Sequence, residues 1–135
     1  MSEGALRVAD SEKITINLGF VDLGRIELLV DDRFYANRTD FIRTAIRNQL
    51  DRHEDVVRQS VSRRTLDMGV RLITRTELEA LKERGDTLHV KVLGLATIAS
   101  DVSPELARAT IASIRVLGAL HASASIRAAL SDRIS

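Results

Sequence analysis

Residues 11–20 read SEKITINLGF, and how this stretch finds a partner decides the fold. Ile14, Ile16 and Leu18 alternate with Lys13, Thr15 and Asn17, the two-residue period of a strand with one dry and one wet face. The residues that follow, as far as His53, carry helical spacing and cannot pair with it. A lone strand leaves its backbone N–H and C=O groups unpaired and does not persist by itself.

Working outward, VDLGRIELLVDDRFY collects Val21, Leu23, Ile26, Leu29, Val30 and Phe34 on one helical face. Asn37 then offers an N-cap for a second helix, because its side-chain oxygen can accept from an amide of the first turn, where Asp40 also suits the helix dipole. RTDFIRTAIRNQLDRH continues at helical spacing with Phe41, Ile42, Ala45, Ile46 and Leu50. The order is strand, helix, turn, helix. The natural partner for the strand is the same strand of a second copy, antiparallel across a two-fold axis. That pairing buries Ile14, Ile16 and Leu18 of both copies against four helices, with Phe41, Ile42 and Ile46 completing the dimer core. The outer face carries Lys13, Thr15 and Asn17 twice, on a ribbon whose width suits the major groove of duplex DNA.

Over Glu12 to His53 the chain resembles the ribbon-helix-helix DNA-binding proteins of the CopG type, and NRTDFIRTAIR carries most of that resemblance. It implies base contacts from Lys13, Thr15 and Asn17, and a phosphate held at the start of the second helix by Asn37, Arg38 and Thr39. The physical basis is general, since a helix N-terminus presents unpaired amides and a positive dipole end to an anion. Arg43 and Arg47 are left as a solvent-facing pair one turn apart.

Composition sets the outer limits. At 135 residues with 44% apolar content the chain can build a core, and cysteine is absent. That removes disulfides and thiolate ligands and suits a reducing compartment. No apolar run reaches membrane-spanning length, MSEGALRVAD lacks the pattern of an export signal, and 3% aromatic content argues against base stacking on single strands. The expected setting is cytoplasmic, and the resemblance implies association with a bacterial nucleoid. The net charge of +1 selects no partner, but it is unevenly spread. Residues 1–55 hold eight Lys or Arg against eleven Asp or Glu, and the remainder twelve against eight. An acidic reading half lowers the affinity expected for phosphates, so duplex binding should be modest and salt-sensitive.

The second half is organised by recurrence. VKVLG at Val90–Gly94 returns as IRVLG at Ile114–Gly118, and each is followed by a helix start, at Ser103-Pro104 and at Ser123 or Ser125. A degenerate third copy precedes them: GVRLI, then TRTELEALKERG with a Thr74-to-Glu77 capping box and a terminal Gly85. One strand and one short helix per repeat predicts a solenoid-like stack with parallel strands, and the spacing of Ile111, Ile114 and Val116 resembles leucine-rich repeats. In this reading Gly94 and Gly118 stand where those repeats turn. A small closed α/β domain is the alternative.

The expected fold class is therefore α+β. The divisions are a flexible terminus at 1–10, a ribbon-helix-helix domain at 11–55, a linker or helix extension at 56–66, and a β/α repeat oligomerisation domain at 67–135. His53, His89 and His121 form no close group, so no metal and no cofactor is expected, and no catalytic constellation is present. The expected function is sequence-specific duplex-DNA binding by a homodimeric transcriptional regulator, with the C-terminal repeats joining dimers into higher oligomers. Two other classes remain open: an antitoxin-type autoregulator whose C-terminal half holds a partner protein, and a filament-forming structural protein.

Overall fold

A computed structural model describes residues 11–135, and the expectation for residues 1–10 lies outside them. The chain forms two compact units that divide between Ser60 and Val61. Among the described residues no helix is long and apolar enough to cross a membrane.

The first unit holds two packed helices, α1 (Phe20–Asp31) and α2 (Arg38–Arg52). Arg33 closes α1 in the left-handed region (φ 66°), and the amides of Arg33 and Phe34 return to the carbonyls of Val30 and Leu29. Asn37 caps α2 as expected: its Oδ1 accepts from the amide of Asp40 at 2.8 Å, while Asp40 Oδ2 accepts from the amide of Ala36 at 2.9 Å. A third helix, α3 (Glu54–Arg64), begins immediately after His53 and runs across the boundary between the units. The expected strand is not an element of the single chain. Residues 11–19 adopt no regular structure and join no strand among the described residues, as a lone extended segment without a strand partner would.

The second unit alternates strands and helices: β1 (Asp67–Ile73), α4 (Arg75–Arg84), β2 (Leu88–Ile98), α5 (Pro104–Thr110), β3 (Ile111–His121) and α6 (Ala124–Ala129). The three strands lie side by side in chain order, all parallel. The recurrent segments fall in register, with Val90 beside Ile114, Val92 beside Val116 and Gly94 beside Gly118. Gly69 of β1 extends the row, so the degenerate copy is structurally equivalent.

The glycines correct one expectation. They sit in the middle of strands, and each strand continues past its glycine. All three have positive φ, at 118°, 137° and 126°, a backbone available to glycine at little cost. A Cβ on Gly94 would collide with the carbonyl oxygen of Gly69, and one on Gly118 with that of Gly94. Because the kinks coincide, the strands stay paired through them. Alternation also keeps its phase, so Val90, Val92, Ala96 and Ile98 all face the helices.

That face and the helices make one core. Ile73, Leu78, Val92, Ile111, Ile114 and Leu130 are fully buried within it, and buried Thr110 satisfies its hydroxyl by donating to the Leu106 carbonyl at 2.7 Å. Each helix has its own start signal: Thr74 accepts from the Glu77 amide, Ser103 from Leu106 and Ser123 from Ile126. Glu77 does not complete its capping box; its carboxylate takes both guanidinium nitrogens of Arg71 instead. Ser103→Ala should therefore lower the unit's stability by about 1 kcal/mol, read as a fall in its unfolding midpoint; an unchanged midpoint would mean the cap is idle.

The chain's last residues close part of the sheet. The Ile114 amide donates to Arg133 O at 2.8 Å, and the Ser135 amide donates to Ile114 O at 2.9 Å, a single parallel bridge outside β3. Arg108 grips Asp132 through both nitrogens, at 2.6 and 3.1 Å, and this hydrogen bonding holds the Asp132 carboxyl below its ordinary range.

Candidate nucleic-acid interface

Ile14, Ile16 and Leu18 are 76%, 60% and 41% exposed, which is unusual for three large apolar side chains in five residues. They are not scattered. Ile16 and Leu18 line a shallow groove with Leu23 and Ile26 of α1 and Arg38, Thr39 and Ile42 of α2, so two of the three dry positions of the alternating stretch lie along the seam between the helices. Among the other expected core residues, Phe41 and Ile42 are half-buried and Ile46 is exposed. Phe41 packs edge-on against Tyr35, with ring centroids 5.0 Å apart. The single chain buries only Ile26 in α1 and nothing in α2. The helix pair thus lacks a core of its own size.

Lys13, Thr15 and Asn17 are all exposed. The other three expected site residues gather at the start of α2. The Asn37 cap occupies the amide of Asp40, which leaves the amides of Arg38 and Thr39 at the first two helical positions, where no helical carbonyl lies one turn back. The carboxylate of Asp40, in the same turn, accepts from the Ala36 amide. The Arg38 side chain leans across to α1, with Nη1 3.6 Å from Glu27 Oε1 and both groups more than half exposed. Such a pair is weakly held and can exchange Glu27 for another anion.

Sequence reasoning set Arg43 and Arg47 aside. The structure places both along one hollow with Asn37, Thr39 and Asp40 at the start of α2. The signal was available: positions 39, 43 and 47 follow the one-turn ridge of a helix. The hollow is lined by two arginines and one carboxylate, that of Asp40, although residues 1–55 as a whole are net acidic.

Among the described residues no group of three or more His, Cys, Asp or Glu side chains is placed to hold a metal ion. A family model for the ribbon-helix-helix transcriptional regulator family matches residues 9–127. The match runs far beyond Glu12–His53 and takes in all three strands of the parallel sheet. No curated protein and no solved structure matches the chain.

Proposed function

The chain belongs to the ribbon-helix-helix transcriptional regulator family, and from that membership we propose that it reads duplex DNA as a homodimer through an intermolecular antiparallel ribbon. Residues 11–19 of two copies pair, Ile14, Ile16 and Leu18 fill the seams between both helix pairs, and the opposite face enters the major groove. The carrying observation is the exposed apolar run beside an apolar groove in a segment with no strand partner. A single chain gives these side chains no reason to be apolar; a two-fold ribbon does.

Within that dimer Lys13, Thr15 and Asn17 contact base edges, Lys as donor and Asn as combined donor and acceptor. The amides of Arg38 and Thr39, with the Asn37 cap ordering the turn, hold a backbone phosphate, and Arg43 and Arg47 add charge beside it. The protein works in the bacterial cytoplasm, on the nucleoid, and needs no cofactor. The C-terminal unit, a short stack of β/α repeats, joins dimers and so raises occupancy of neighbouring half-sites. Its ordered core disfavours the antitoxin reading, in which this half would wrap a toxin as a flexible segment.

A gel-shift titration tests the electrostatic part. Affinity should fall by about tenfold or more between roughly 50 and 200 mM salt. Arg38→Ala should weaken all duplexes alike and flatten that slope. Retention that ignores salt would contradict the phosphate site.

A further inference from the structure

The sheet has two free edges, and they match each other. The outer side of β1 pairs with no strand among the described residues, and β1 is short, covering only the stretch of β2 from Val92 to Ile98. The outer side of β3 is closed at Ile114 by Ile134 but bears no strand from Val116 to His121. In the repeat register those uncovered positions are the ones that align with Asp67–Leu72. Each edge is therefore without a strand partner over the length that the other offers, and on β3 the Arg127 side chain donates to the Leu120 carbonyl that a pairing strand would take over.

The junction between them already exists twice inside the chain. Gly94 receives the carbonyl oxygen of Gly69 where a Cβ would stand, and Gly118 receives that of Gly94 in the same way. Gly69 has the same kinked backbone, with φ 118°, but its corresponding space is empty. By the same repeat geometry the Gly118 carbonyl points away from β2, at the opposite edge. The side chains agree. On the helix-free face Leu93 and Leu95, flanked on both sides, are half-buried, whereas Met68, Val70 and Leu72 of β1 are 62%, 74% and 53% exposed. No proline blunts the β1 edge, but Asp67 and Arg71 stand on the helix-facing side in register with Val92 and Ala96, and Arg71 Nη1 donates to the Leu72 carbonyl at 2.9 Å, a guard that a pairing strand must displace.

We propose that β1 of one molecule pairs in parallel with β3 of a second copy, with the Gly118 carbonyl of that copy seated in the space at Gly69. The register places Val70 beside Ala119 of the second copy and Met68 beside its Leu117. This deepens the assembly role of the C-terminal unit given above and rests on it. The contact joins unlike edges, so it does not close on a two-fold axis, and each added copy leaves the same two edges free. Combined with the N-terminal dimer, it links dimers to one another.

The absence of cysteine makes the test clean. Adjacent parallel strands are about 4.8 Å apart, so Val70→Cys and Ala119→Cys can bridge between copies. Within one chain they lie two strands apart, about 9.6 Å, which is beyond disulfide reach. Oxidised full-length V70C/A119C should give a ladder of dimers, trimers, tetramers and larger species on a denaturing gel, lost on reduction. V70C/R115C, with both sites exposed but four residues out of register, should give no ladder. In the cysteine-free chain Val70→Lys should abolish any rise in mass with concentration beyond the dimer. A ladder no stronger than the control, or V70K assembling like the parent, overturns the proposal. The assay contains no DNA and the N-terminal ribbon is non-covalent. A chain that ladders but ignores duplex therefore removes the DNA reading alone, and a duplex-binding dimer without a ladder removes this one alone.

Discussion

Ile16→Asp should convert the protein from a dimer that binds duplex DNA into a chain that does neither, while the C-terminal unit keeps its unfolding midpoint. The two-fold axis places the substitution in the interface twice. Each isoleucine buried on pairing contributes about 1.5–3 kcal/mol, and a carboxylate brought into that seam adds a desolvation penalty. A combined loss of about 4 kcal/mol already weakens dimerisation roughly 1,000-fold. In the single chain Ile16 is mostly in water, so without a second copy the same substitution should change stability by only about 0.5 kcal/mol or less. Sedimentation of parent and variant separates these outcomes. A variant that stays dimeric and shifts DNA like the parent would mean Ile16 is an ordinary exposed residue.

Gly94→Val should have the opposite pattern, unfolding the C-terminal unit and sparing the N-terminal helices. Two penalties coincide at this position. The backbone sits at φ 137°, which an L side chain rarely adopts, and the new Cβ would meet the Gly69 carbonyl, which the sheet holds fixed. Together they should exceed about 4 kcal/mol, a large share of the roughly 5–15 kcal/mol that stabilises a domain. Gly69→Val provides the internal comparison, since within one chain it meets the same strain but no neighbour. Limited proteolysis should therefore digest the C-terminal unit of G94V readily and that of G69V less so. Equal resistance of G94V and the parent would show that the strands tolerate a side chain at the shared kink.

Much of this architecture is legible in the residues. Thr74, Ser103, Ser123 and Asn37 announce helix starts because each places an oxygen where an orphan amide needs one, and all four are used that way. Gly85 ends α4 in the left-handed region for an equally local reason. The VKVLG and IRVLG recurrence became strand register, because equivalent residues of stacked repeats pair side by side. What was illegible depends on non-local contact. Gly94 and Gly118 read as turn residues, since glycine alone says that φ is positive and does not say whether a neighbour kinks at the same place. Glu77 reads as half of a capping box until Arg71, six residues earlier but on an adjoining strand, claims its carboxylate. Arg43 and Arg47 look like a solvent face until Asn37 and Thr39 are seen beside them. For residues 11–19 alternation supplies the period of a strand but not its partner, and no strand among the described residues pairs with them.

Selection of bound duplexes from a random pool, run in parallel with the parent and with K13A/N17A, tests the reading ribbon most directly. The parent should enrich an inverted repeat whose half-site spacing reflects the two-fold axis, and the variant should bind without enriching it. Failure of the parent to enrich any sequence, or enrichment of the same motif by K13A/N17A, would contradict the assignment of residues 13–17 as the surface that reads DNA.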